Sequence, residues 1–210
     1  MESPYLTMSA QMALNAHLHL IKVMPKKLSL MIASLGPIEI PHRYGDDPRD
    51  GLVGVVIGQQ VSAQAARAIR ERVFTSFASR EALYAAAQRG QLDAHGLSKA
   101  KQKTIQFISL LSDIKFSQWQ NLAYPQRLTE MTQVPGIGPW TVAMWSMFVC
   151  QDPDCWSDGD LILRTRMDGL AQEAQINRQQ MLRQAEPYRT YLALYLWAFK
   201  DQLPRESTIP

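Results

Sequence analysis

The chain has 210 residues, 46% hydrophobic and 20% charged, with a formal charge of +3, enough for one globular unit or two small lobes sharing a core. No run approaches the roughly 18 apolar residues of a membrane span, and the N-terminus lacks the basic region and apolar block of a secretory leader. The two cysteines, Cys150 and Cys155, fit no zinc spacing or four-cysteine cluster and read as free thiols of a reducing, cytoplasmic compartment, while the slight basic excess is compatible with nucleic acid without selecting it.

The pattern is helical almost throughout. Met12, Ala16, Leu20 and Val23 share one face of a first helix, which Pro25 ends. Residues 36–51, rich in proline and glycine, read as a loop. Residues 52–74 read as an apolar helix, a break near Gly58, and an amphipathic helix. Ser79 is a cap for a helix over 80–88, and Ser98 for one whose stripe is Ile105, Ile108 and Leu111. Further helices are expected at about 125–133, 160–171 and 178–200, and no strand alternation appears. The expected fold class is therefore all-α with short connections.

VPGIGPW (134–140) predicts a tight turn between two helices. Gly136 and Gly138 are free to take positive φ and to let another backbone approach. Pro139 suits the first helical position with Gly138 as its cap. Donors left free at that helix start, with the helix dipole, make an anion site suited to a phosphate. On turn chemistry alone, a plain connector reads equally well.

Four stretches in order carry a wider resemblance: GLVGVVIGQQVSAQAA (51–66), GLSKAKQKTI (96–105), the turn with Trp140 and Thr141 followed by SDGDLILR (157–164), and EPYRTYLALYLW (186–197). Together they resemble the helix-hairpin-helix DNA glycosylases, in their alkylpurine branch of 3-methyladenine DNA glycosylase II type. The resemblance implies an all-α, two-lobed fold with a cleft between lobes, here residues 1–50 plus 168–210 and residues 51–167. It implies an enzyme acting on double-stranded DNA that contains damaged bases, with no membrane partner; the expected oligomeric state is a monomer.

Residue by residue, the resemblance implies Asp160 as the catalytic carboxylate, since it directly precedes Leu161, with Asp158 as runner-up and Ser157 standing where proline is usual. Such a carboxylate stabilises positive charge on the sugar and orients water. Trp140 stands where bifunctional relatives carry a nucleophilic lysine, which implies hydrolysis without strand nicking. Trp140, Trp197 and Tyr188 are the pocket aromatics implied for a cationic purine. Gln59 and Gln60 are implied to fill the gap left by an extruded base. Phosphate contacts are implied for Gly136, Ile137 and Gly138, with Thr141 beside them, and for Lys99, Lys101 and Lys103. No cofactor is expected beyond a monovalent sodium or potassium ion on the carbonyl groups of Thr132, Val134 and Ile137. A different damaged or mismatched base, or a catalytically silent helix-hairpin-helix binding module, remain the alternatives. The four histidines form no constellation and read as structural or surface residues.

Overall fold

The computed structural model describes residues 7–199, so the expected end of the last helix at residue 200 lies outside the described residues. Every regular element among them is helical, as the sequence period implies. The elements are α1 (Met8–Val23), α2 (Lys26–Leu35), α3 (Pro48–Gly58), α4 (Ala63–Thr75), α5 (Arg80–Gln88), a 3₁₀ turn at Asp93–His95, α6 (Lys99–Ser109), α7 (Asp113–Asn121), α8 (Tyr124–Met131), α9 (Pro139–Phe148), α10 (Leu161–Glu173), α11 (Arg178–Gln184) and α12 (Arg189–Ala198). None is long and apolar enough to cross a membrane. The described residues form two compact units, one of residues 7–41 and 152–199 and one of residues 42–151.

The joints differ from the expected 50/51 and 167/168 for local reasons. Asp47 caps α3 through the N–H groups of Arg49 and Asp50, which ties the preceding turn to the middle unit. The stretch after residue 151 is bonded to α12 instead: the Thr190 N–H donates to the Pro153 carbonyl at 3.0 Å, and the Cys155 N–H to the Thr190 hydroxyl at 2.9 Å.

The middle unit is built round two helices buried almost all round. In α3 the whole run Gly51–Ile57 is buried, and in α9 the run Thr141–Phe148 is. Such helices take neighbours on every side, and α4, α6, α7 and α9 all pack on α3. α7, which sequence reading missed, starts on a Ser112 cap and buries Phe116 and Trp119. Its last carbonyls are closed by Arg127, only 3% exposed, whose guanidinium donates to Trp119, Gln120 and Leu122.

In the terminal unit, α12 is the central helix, buried from Thr190 to Leu196. Pro25 both ends α1 and caps α2, because its fixed φ suits the residue before a helix. The buried stripe of α1 is Ala13, Ala16, His17 and Leu20, not the face with Met12 and Val23: Met12 is 40% exposed. The expected helix over 178–200 is two helices, α11 and α12, broken at Glu186–Pro187, since a proline cannot continue the first.

His17 and Tyr195 form the polar centre of this unit. The Tyr195 hydroxyl donates to the Gly36 carbonyl at 2.9 Å, so its oxygen accepts from His17 Nδ1–H at 2.7 Å. Burial pushes the Tyr195 hydroxyl up to about 12 and holds His17 below its ordinary value. The unfolded chain therefore takes up a proton first as pH falls, and stability declines once pH drops through the unfolded histidine value near 6.5. The urea midpoint is expected to be flat above about pH 7.5 and to fall toward about pH 5.5, with a smaller fall in His17→Gln. An equal fall in the variant would move the effect elsewhere.

Candidate functional site

Gly136 sits at φ +86, and a Cβ built on it would lie 1.8 Å from the Thr104 hydroxyl of α6. The residue is glycine for two separate reasons, backbone conformation and the close approach of α6. Gly138 departs from expectation: its φ is −98 and nothing lies within 4 Å of an added Cβ. It caps α9 in an extended conformation, and Pro139 follows at the first helical position. Ile137 is buried and its N–H donates to the Val134 carbonyl at 3.0 Å, so this amide serves the turn and not a ligand. The N–H groups of Gly136 and Gly138 find no acceptor among the described residues.

This contrast gives a paired prediction. Gly136→Ala should destabilise the protein by about 2–5 kcal/mol, through left-handed strain and overpacking. Gly138→Val should cost less than about 1 kcal/mol of stability, since only the cap preference changes, yet should weaken, on every sequence alike, the phosphate-anchored DNA binding that the resemblance implies. Thermal unfolding and duplex titration separate the two; a Gly138→Val protein that binds as tightly as wild type refutes backbone approach at that residue.

The neighbouring side chains divide into those that brace the turn and those that face solvent. Gln59 Nε2 donates to the Gly136 carbonyl at 3.1 Å and to the Thr141 hydroxyl at 2.9 Å. Gln59 is thus a strut between the end of α3 and the hairpin, not a wedge, and Thr141, only 2% exposed, is its partner. Gln60, exposed and at φ +53, is the residue held outward at that break. Lys101 is a second correction. Its ammonium donates to the carbonyls of Ile57 and Gln59 at 2.8 and 2.7 Å, closing the end of α3, and burial lowers its pKa. Lys99 pairs with Asp93 on the surface, and Lys103 is exposed. The three lysines are therefore not one solvated patch.

Asp160 caps α10: its Oδ1 accepts the Leu163 N–H at 3.0 Å, and the Trp197 indole N–H at 3.4 Å. A carboxylate there is favoured by the free donors and the dipole of the helix start. Asp158 is exposed and otherwise engaged, by the Trp156 indole at 3.0 Å and the Arg178 guanidinium at 3.4 Å. The loop before Asp160 is clamped by residues that sequence reading passed over. Arg189 grips Asp154 through two side-chain bonds of 2.8 Å and its own N–H at 3.1 Å, and Thr190 donates to the Asp152 carbonyl at 2.7 Å. The P-Y-R element was the available signal; its arginine is a loop clamp. Ser157, where proline is usual in the family resembled, is buried, and its hydroxyl has no partner among the described residues.

Of the three aromatics, Trp197 is placed against Asp160. Trp140 is half-buried in the first turn of α9. Tyr188 packs away from Trp197: its ring lies 5.3 Å from that of His19 and 6.1 Å from that of Tyr191. It stands at the opposite end of α12, nine residues or about 13 Å along the axis, so Tyr188 leaves the pocket set.

No family model matches the chain. It is 22% identical over 192 residues to the alkylbase DNA glycosidase-like protein mag2 of Schizosaccharomyces pombe, covering 85% of this chain and 88% of the relative. It is 27% identical over 165 residues to a probable bifunctional transcriptional activator/DNA repair enzyme AlkA of Mycobacterium tuberculosis, covering 72% of this chain but only 33% of that longer protein. Its fold matches the S. pombe 3-methyladenine DNA glycosylase Mag1 in complex with abasic DNA, with a TM-score of 0.69 at 23% identity over 90% of this chain and 98% of that one. Sequence likeness along nearly the whole of one relative and the match to a solved glycosylase fold agree with the four motifs, and the chain has the fold of the 3-methyladenine DNA glycosylases it resembles.

Proposed function

We propose that the protein is a monofunctional DNA glycosylase that hydrolyses the N-glycosidic bond of alkylated purines of the 3-methyladenine and 7-methylguanine type, in base excision repair. The observation that carries it is Asp160, a carboxylate fixed at a helix start beside an indole, in a chain whose relatives are named for alkylbase and 3-methyladenine glycosylase activity.

An alkylated purine is cationic, so the C1′–N bond breaks with its electron pair leaving on a base that becomes neutral and needs no proton. The Asp160 carboxylate stabilises the developing sugar cation, and water adds to C1′ and loses its proton. The partner is double-stranded DNA carrying the damage, bound by a monomer. The Gly136 and Gly138 amides hold a phosphate, with Lys103 at the exposed surface of α6. Gln60 alone is left to fill the space of the extruded base. The neutral oxygens of Thr132, Val134 and Ile137 suit a sodium or potassium ion, although one lone pair of Val134 already accepts the Ile137 N–H; such an ion would add positive charge facing a phosphate.

The test is incubation with methylated duplex DNA and chromatography of the released bases. Free 3-methyladenine or 7-methylguanine is the expected result. Release from deaminated or mismatched duplexes alone would transfer the activity to another base, and no release from any would leave a binding module.

A further inference from the structure

The hairpin unit carries a concentration of positive charge that neither the turn nor Asp160 uses. A cavity of about 430 Å³ lies along α4 and the segment leading into α3. Four arginines line it, Arg43, Arg67, Arg70 and Arg80, against two carboxylates, Asp50 and Glu71. Arg80 and Asp50 neutralise each other at 2.5 Å. Arg43, Arg67 and Arg70 have no carboxylate partner among the described residues.

Aromatic faces hold two of these guanidinium groups without neutralising them. Arg43 lies 4.2 Å over the Phe148 ring and Arg70 5.3 Å over the Tyr44 ring. Stacking occupies the flat face of a guanidinium and leaves its in-plane N–H donors for an acceptor, the arrangement that suits phosphate oxygens. Gly54 of α3 makes the room: a Cβ there would fall 2.6 Å from Tyr44 and 3.4 Å from the Arg70 side chain. Like charges gathered round one concavity repel each other, and an anion bound among them relieves that repulsion.

We propose that this cavity is a second phosphate site, separate from the hairpin turn, in which Arg43, Arg67 and Arg70 grip phosphate oxygens. The phosphate belongs either to the DNA backbone or to a free phosphorylated molecule. The backbone source rests on the DNA-binding function proposed above; it is favoured because α4 starts just after the exposed Gln60, with Arg67 and Arg70 on successive turns. The free source rests on the cavity alone.

The test compares wild type with the Arg67→Gln/Arg70→Gln double variant in two arms. Arg67→Gln alone serves if losing the Arg70 stack on Tyr44 impairs folding. One arm titrates a short undamaged duplex by fluorescence anisotropy across a salt series; the other titrates inorganic pyrophosphate by calorimetry without DNA. If the site takes the DNA backbone, the slope of log K against log salt becomes shallower by about one for each arginine removed. If it takes free phosphate, pyrophosphate binds wild type and not the variant, and the duplex slope is unchanged. Variants indistinguishable from wild type in both arms overturn the proposal. Failure of base release in the separate chromatographic assay bears on the glycosylase function and leaves the pyrophosphate arm standing.

Discussion

Asp160→Asn is expected to lower base release by about 10²- to 10³-fold or more while leaving fold and DNA affinity in place. The local structure explains why the two effects separate. The carboxylate accepts the Leu163 N–H and the Trp197 indole through one oxygen, Oδ1. Asparagine keeps that acceptor and is as good a cap as aspartate, so α10 should start unchanged. What it lacks is the negative charge that the sugar requires as the glycosidic bond lengthens. Asp158→Asn is the control. Its side chain is bonded to Trp156 and Arg178, and its loss should change the rate only a few-fold. Single-turnover release from methylated duplex checks both. An Asp160→Asn protein retaining a third of the wild-type rate would remove Asp160 from the chemistry, and a large loss in Asp158→Asn would pass the role there.

The sequence pattern was informative where a motif and a helix boundary coincide. Ser79, Ser98 and Asp160 each precede an apolar period and each caps the helix that follows, with an N–H at 3.2, 3.3 and 3.0 Å respectively. Side chains that act at a distance were not legible. Gln59 reads as a protruding residue at a helix break, yet it reaches 77 positions along the chain to the Gly136 carbonyl. Lys101 reads as one of three surface lysines because the spacing 99, 101, 103 says nothing of direction; a two-residue step turns a helix by about 200°, which puts Lys101 against the end of α3. Arg189 lies in a stretch that signals the family, but its partner Asp154 is set by the loop path. Gly136 and Gly138 look alike in sequence and do different work, since the left-handed backbone and the packing of Thr104 at Gly136 separate a glycine that the fold requires from one that leaves a surface open.

The other large effect follows from Trp140. With an indole where bifunctional relatives carry a nucleophilic amine, the reaction should end at an intact abasic site, with no strand break and no adduct trapped by borohydride. Lys101 is the sharpest challenge to this, because burial lowers its pKa as a Schiff-base lysine needs. Its ammonium, however, is committed to the Ile57 and Gln59 carbonyls, and replacing it should loosen the end of α3 before it alters chemistry. Trp140 itself begins α9 one residue after Pro139, half-buried, with a large π-face suited to a cationic purine. Trp140→Ala should therefore cost about 0.5–2 kcal/mol more in kcat/KM on methylated purines than on neutral hypoxanthine. Denaturing electrophoresis of the product strand and paired kinetics on the two substrates test the two halves independently. Equal losses on both bases would make the ring a packing element, and a covalent protein–DNA band after borohydride would show that an amine elsewhere in the chain attacks C1′.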